Sequence, residues 1–492
     1  MNATPTRRLR ALALVAAVLT AWGVDGRAVS AQTPTGRELV ESLEVGPLEF
    51  EPPTPERHEI GGVRVLLLED HTLPLVDVLA RFRGGYGLYP REWYASAMGL
   101  PALLRSGGTV DLPPDSVDEL LEYYAVQSSF GTGGGSISIA LNTLTEHLDT
   151  AFGIWSDLIA KPRFEPRAIE LWRGRELESA RRLQDDPGNL AYARFNRLMY
   201  GDHPVGWSIE PSDLDPRLVA PDRFREMHRR IVCRDNLILG VTGDVSWEGI
   251  RPLLKRLVDD LAPCPERIPP APAPDIRRGG GVFLLERDLE QAFIVMAHPT
   301  SVHLADERRY YAATIGNSIL GGGGFNSRLL SSLRTRQGLT YAASSIWTMP
   351  RRYDGVVGAT TSTRPEMVVP AIRDILDVMR EMTQSPPTSE ELRTAVDVVV
   401  NGFAFNFETP AQIVSRMMFY VAEDWPEDWL ERYADGIQEV EPSDIREVFA
   451  EQVRPDEMTI LVVGDPGRIG REALAALGPV TVLAIDEPQS GR

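Results

Sequence analysis

Near residue 65 the chain reads VLLLEDHTLPLVDVLARFRGG, an apolar run, a polar turn, and a stretch in which apolar and polar residues alternate. That pattern predicts a strand, a turn and a second strand. VFLLERDLEQAFIVMAHP, from residue 282, reads the same way. Further on, Leu148, Phe152, Trp155 and Ile159 fall on one helical face, and Val368, Ile372, Ile375 and Met379 do so later in the chain. Each half then closes on an apolar strand that runs into Gly-Asp and a helix: NLILGVTGDV ending at Val245, and MTILVVGDP ending at Pro466. The interval from Leu66 to Phe283 nearly equals that from Asp244 to Asp465.

A shared element order at a nearly constant offset predicts a tandem duplication of one α/β unit. Convergent strand-turn-helix patterning is the alternative, because such units are common. Between the halves, APCPERIPPAPAPDIRRGGG (262–281) concentrates Pro, Ala and Gly without apolar period, which is linker chemistry. The expected fold class is α+β, two tandem homologous α/β domains, each an antiparallel or mixed sheet covered by helices. The expected divisions are 32–261, the linker 262–281, and 282–485.

The segment from Met1 to Ala31 stands outside this pattern. Arg7, Arg8 and Arg10 form a basic start, Ala11 to Val24 is apolar, and Val29, Ser30 and Ala31 are small. This predicts an export signal cut after Ala31, with an uncleaved anchor as the alternative. Four Arg and one Asp leave with it, taking the formal charge from −19 to −22. The acidic balance, 70 Asp plus Glu against 51 Lys plus Arg, argues against nucleic acid as a partner. The working picture is an exported protein, soluble in a bacterial periplasm.

Local motifs for chemistry are few. Gly321 to Gly324 lie in no phosphate-loop or dinucleotide motif; they suit either a tight loop or an edge where an extended peptide approaches the backbone. The seven histidines form no HxxEH, HExxH or HxxxH, and read as isolated surface or loop residues; His298 and His303, five apart around Pro299, suit neither a helix face nor one side of a strand. Cys233 and Cys264 stand in no CxxC pair, and pairing between them is left open. In NSRLLSSLRTRQGLTYAASSIW (326–347), Leu329, Leu330 and Leu333 suit an amphipathic helix, Gly338 its left-handed stop, and 339–347 a strand. Arg334 then lies in the last helical turn and Tyr341 at the strand start, placements that ordinary dipole and packing preferences also explain.

The chain resembles the pitrilysin/insulinase zinc peptidases, peptidase family M16 or inverzincins, a group that includes the mitochondrial processing peptidase and the bc1 core proteins. The resemblance spans nearly all of the chain after Ala31. It rests on LGGGGFNSRLLSSLRTRQGLTYAASS (320–345), LLRSGGT (103–109), IAKPRFEP (159–166), RELESARRLQDDP (175–187), HPVGW (203–207) and the two Gly-Asp turns. It implies tandem domains forming a clam-shell chamber that admits unfolded peptides. In the family, zinc is held by the two histidines of HxxEH and a more distant glutamate, with the motif's own Glu as general base. Here the window falls on Gly99, Leu100, Pro101, Ala102 and Leu103, and only Glu176 matches, as a vestigial ligand position.

What the first half lacks, the second retains. Arg334 and Tyr341 match the arginine and tyrosine that family members bring from the domain opposite the zinc, where they would stabilise charge on the scissile carbonyl oxygen. Gly322, Gly323, Gly324, Phe325 and Gln291 match substrate-facing positions. The resemblance thus implies a non-catalytic subunit of a heterodimeric zinc peptidase. It further implies that this chain binds no cofactor, that zinc sits in an HxxEH-bearing partner, and that unfolded peptides are the substrate. The alternative is a peptide-binding or structural assembly protein with no role in proteolysis. An autonomous peptidase with a rearranged site is a third reading.

Overall fold

The computed structural model describes residues 53–484, apart from 337, 339 and 427; the expected export signal lies outside the described residues. Two six-stranded mixed sheets organise the protein. The first contains β1 (Glu56–Ile60), β2 (Val63–Glu69), β3 (Leu75–Arg83), β4 (Gln127–Thr132), β5 (Ser136–Leu144) and β6 (Leu237–Gly243), in the order β1-β2-β6-β3-β5-β4. The second contains β7 (Gly281–Glu286), β8 (Ala292–Thr300), β9 (Thr340–Trp347), β10 (Gly355–Thr363), β11 (Thr459–Gly464) and β12 (Val480–Leu483), in the order β12-β7-β11-β8-β10-β9.

Strand for strand, β2, β6, β3, β5 and β4 repeat as β7, β11, β8, β10 and β9. β2 pairs parallel with β6, as β7 does with β11, and both closing strands pair antiparallel with the next one. The sixth strand differs. In the first sheet it is the antiparallel β1 from before β2, and in the second it is the parallel β12 from the far end of the chain.

The helices of ten or more residues are α1 (Arg91–Ser106), α2 (Pro114–Tyr123), α3 (Leu148–Ala160), α4 (Pro166–Leu183), α5 (Pro187–Tyr200), α6 (Pro221–Ile231) and α7 (Trp247–Asp260) in the first half. The second half has α8 (Glu307–Asn317), α9 (Val368–Gln384), α10 (Ser389–Ala404), α11 (Pro410–Ala422), α12 (Trp429–Gln438) and α13 (Pro442–Gln452). The stripe Leu148, Phe152, Trp155, Ile159 buries α3 against the first sheet, and Val368, Ile372, Ile375, Met379 bury α9 against the second. Capping sets where α10 and α11 begin: Thr388 and Glu391 exchange hydrogen bonds across the first turn, as do Thr409 and Gln412.

β3 alternates along its length, with Val76, Val78, Ala80 and Phe82 buried toward the helices of its own half. β6 and β11, by contrast, are apolar on both faces, as strands covered on both sides must be. The second cover comes from the opposite half. α11 lays Val414, Met418 and Ala422 on Leu66 and Ile238 of the first sheet. α5 lays Leu190, Ala191, Phe195 and Met199 on Phe283, Leu285, Val295, Leu461 and Val463 of the second. Each fully buried side chain of this kind contributes about 1.5–3 kcal/mol relative to exposure, so the exchange of helices binds the halves firmly.

Cys233, two residues after α6, is bonded to Cys264 at the start of the linker, with Cα atoms 5.0 Å apart. Two histidines depart from the expectation of isolated surface or loop residues. His298 lies within β8 at 2% exposure, its Nε2 accepting from the Arg454 N–H at 2.8 Å and its Nδ1 donating to the Pro299 carbonyl. The apolar surroundings keep this imidazole below its ordinary pKa. His228 of α6 donates to the Ile159 carbonyl at 2.7 Å, and burial depresses it as well. Sequence spacing around Pro299 hid the first of these, because a strand continues through a proline that leaves no ladder bond unmet.

Candidate functional site

The conspicuous backbone lies between α8 and β9. Beyond Asn317 the chain passes through a π-helical turn (Ser318–Gly322), a 3₁₀ turn (Gly324–Asn326), one α-turn (Arg328–Leu330) and a second π-helical turn (Ser331–Arg336). Such widened turns recur at functional sites. Gly321 is required by contact, since a Cβ there would stand 2.2 Å from the Ser345 nitrogen of β9. Gly324 is required by conformation, with φ of +68°. Leu329 and Leu333 are fully buried and anchor the segment. Arg328 grips α10 through a forked pair with Glu391, at 2.7 and 2.9 Å, which also holds the Glu391 carboxyl below its ordinary range.

This scaffold presents the expected residues at one end of the second sheet. Phe325 is 76% exposed, and the Arg334 guanidinium stands over its ring, 5.1 Å from the centroid. The Gly338 N–H bonds the Arg334 carbonyl at 3.1 Å, and Gly338 has φ of +63°, the left-handed stop expected there. Tyr341 is the second residue of β9, a strand at the sheet edge; its side chain lies outside the described residues. Its backbone sits at a bulge. Thr340 pairs with Thr363 and Ala343 with Thr361, so Tyr341 and Ala342 together oppose Ser362. Thr361 Oγ1 pins the irregularity by donating to the Ala342 carbonyl at 2.8 Å. Bulges of this kind re-aim a side chain beside a site.

Gln291 is exposed and directly precedes β8. Ala292, Thr363 and Thr340 form one row across β8, β10 and β9, so Gln291 and Tyr341 lie at the same end of the sheet. With two strand spacings between them, their backbones are about 10 Å apart. Gly323 and Phe325 also border a cavity of about 360 Å³, whose far wall is Thr394 and Val398 of α10. A larger cavity of about 1010 Å³ lies beside Tyr86, His203, Tyr353 and the linker, and none of the sequence-predicted site residues lines it.

In the first half, the window Gly99–Leu103 is an interior turn of α1. Leu100 and Leu103 are fully buried, and a Cβ on Gly99 would stand 2.4 Å from the indole of Trp172 in α4. Glu176, one turn beyond Trp172, is half-buried, and desolvation raises its carboxyl above the ordinary range. None of the five window side chains can ligate a metal, and the indole fills the space beside the first of them. These residues do not fit zinc. Among the described residues, no group of three or more His, Cys, Asp or Glu is placed to hold a metal ion.

Sequence reasoning missed the Arg328–Glu391 fork and the bulge under Tyr341. The Thr388-x-x-Glu391 spacing is the signal of a capping box, but the bond from Glu391 to Arg328 depends on how α10 packs.

Comparison with known proteins shows what these features are similar to. Residues 219–399, which include the glycine run, Arg334 and Tyr341, match the family profile described as Peptidase M16 inactive domain. A Helicobacter pylori protein named non-peptidase homolog YmxG is 22% identical, over 82% of this chain and 92% of its own length. An uncharacterized zinc protease of Streptomyces coelicolor is 24% identical, over 65% of this chain and 70% of its own. The crystal structure of a peptidase M16 inactive domain from Pseudomonas fluorescens superposes with a TM-score of 0.72 at 22% identity, covering 84% of this chain and 98% of that one. The periplasmic protease PqqL of Escherichia coli gives 0.71 at 11% identity, covering 86% of this chain and 47% of that one.

Proposed function

We propose that this chain, which is similar to M16 inactive-domain proteins in profile, sequence and fold, is the non-catalytic subunit of a heterodimeric zinc peptidase. In this reading the partner carries HxxEH and the zinc, and this chain completes a chamber for unfolded peptides. The single observation behind it is the contrast between a window with no metal ligand and a second-half segment that holds Arg334, Phe325 and the start of β9 together at a sheet edge.

The residues have distinct tasks. The Gly322–Gly324 run and Phe325 border the path of an extended substrate, with Gln291 at the same end of the sheet. The Arg334 guanidinium and Tyr341 hydroxyl donate hydrogen bonds where charge develops on the scissile carbonyl oxygen, bound in the partner's half of the chamber. No step runs through a metal on this chain. The divisions 32–261, 262–281 and 282–485, and export through the segment 1–31, belong to the same proposal; among the described residues no helix is long and apolar enough to cross a membrane.

Purified chain mixed with a secreted HxxEH-bearing homologue should form a one-to-one complex that hydrolyses unfolded peptides, while this chain alone does not. A mixture that neither associates nor gains activity removes the proposal. The second reading, a peptide-binding protein without a role in proteolysis, draws on the exposed Phe325 beside its cavity. It requires tight binding of extended peptides by this chain in the absence of any zinc-bearing partner.

A further inference from the structure

The face of the first sheet that α11 covers carries a charge arrangement unused by this function. Along β3, Asp77, Leu79, Arg81 and Arg83 point opposite to the buried Val76, Val78, Ala80 and Phe82. Arg83 reaches an acid, Asp424, at 3.4 Å. Arg81 does not: its Nη1 donates to Ser136 Oγ at 3.0 Å, its Cζ stands 5.8 Å from the Phe419 ring centre, and its Nε is buried without a hydrogen-bond partner. From α11, Arg416 points into the same space and donates to Asn406 Oδ1 at 3.0 Å. Among the described residues neither guanidinium makes an ion pair with a carboxylate. Glu423, the acid whose field reaches Arg81, stands 3.7 Å from Arg352.

Arg81 and Arg416 line a cavity of about 390 Å³ together with Asn406, Gln412, Ser415 and Phe419. Burial and the neighbouring Arg416 both act against the charge on Arg81. Two like charges that line one partly buried cavity raise the free energy of the empty site. An anion in the cavity relieves that repulsion. Guanidinium forks match the oxygen geometry of carboxylate and phosphate, and the Gln412 amide and Ser415 hydroxyl supply further donors.

We propose that this cavity, bounded by Arg81 of β3 and Arg416 of α11, is a binding site for a small oxygen-bearing anion, a carboxylate or a phosphate. The occupant is either a free ion or the C-terminal carboxylate of a peptide. The site lies on the seam between the halves, so an anion there would hold α11 to the first sheet.

The test is titration of the full chain with inorganic phosphate and with acetate, against chloride at equal ionic strength, followed by thermal unfolding. Saturable binding with a rise in Tm is expected, and Arg416→Gln should weaken it at least about tenfold, while the distant Arg380→Gln leaves it unchanged. A peptide with a free C-terminus that competes with phosphate, where its C-terminal amide does not, supports the site with a peptide end as occupant; two inert peptides with phosphate binding intact support it with a free ion. Absence of saturable binding, or binding indifferent to Arg416→Gln, overturns the proposal. If that variant does not fold, hydrogen exchange of α11 in the unaltered chain decides: phosphate should slow it, and unchanged exchange overturns the proposal equally.

Discussion

Gly99 in α1 and Gly316 in α8 are separated by the same interval as Leu66 and Phe283, and each lies against an aromatic ring that a Cβ would strike at 2.4 Å: Trp172 for the first and Phe449 for the second. From this shared contact the halves diverge. α1 continues as a regular helix with Leu100, Leu103 and Leu104 fully buried, so the window where a zinc motif would stand is core. α8 ends at Asn317 and opens into the π-turns and glycines that leave Phe325 exposed and Arg334 near the sheet edge. In one half this stretch is helix packed into the core, and in the other it is irregular backbone where packing alone would favour a continued helix.

The sharpest way to break this comparison is to rebuild the motif. Gly99→His, Ala102→Glu and Leu103→His together should destabilise the protein by roughly 5 kcal/mol, because one imidazole meets Trp172 and another enters a fully buried site. Metal analysis after dialysis should find no stoichiometric zinc; retained zinc would show that the window is a dormant site and not core.

Next in size is the disulfide, which staples only the first half. Replacing Cys233 and Cys264 by Ser should cost about 3–4 kcal/mol for a sequence separation of 31. Calorimetry should show the loss, with exchange faster in α6 and α7 than in the second half.

A third substitution copies one half into the other. Gly240 of β6 lies under Met418 and Val414 of α11, at the position that Leu461 fills beneath α5. Gly240→Leu should cost about 2–3 kcal/mol by overpacking, whereas Leu461→Gly should cost at least as much by leaving a cavity. Denaturant midpoints would measure both.

The smallest effect is confined to acid. His298 is held neutral, with a folded pKa below its ordinary 6.5, so the unfolded state takes up the proton first. Stability from this residue is complete above pH 6.5 and is lost as pH falls below it. His298→Gln should flatten that part of the curve, and an unchanged curve would contradict the role.

Element order, the repeated unit and the helical stripes were legible because alternation and helical spacing report burial directly, as at Val76 to Phe82 and Leu148 to Ile159. The exchange of α5 and α11 between sheets was not. Only the double-faced apolar runs of β6 and β11 hinted at a second cover, and a local pattern cannot say which helix supplies it. At the candidate site, the helix stop at Gly338 and the strand from Thr340 were readable, while the bulge at Tyr341 depends on Ser362, a residue of another strand. The pairing of Cys233 with Cys264 was open for the same reason, since it requires two chain segments to meet.

The central claim is that this chain lends Arg334 and Tyr341 to a zinc site on another. The most direct measurement is the steady-state peptidase rate of the mixed complex carrying Tyr341→Phe, with complex formation checked by sedimentation. Loss of one donor at the oxyanion should lower kcat about a hundredfold with assembly intact. A complex that forms normally and cleaves at the unaltered rate would contradict the account.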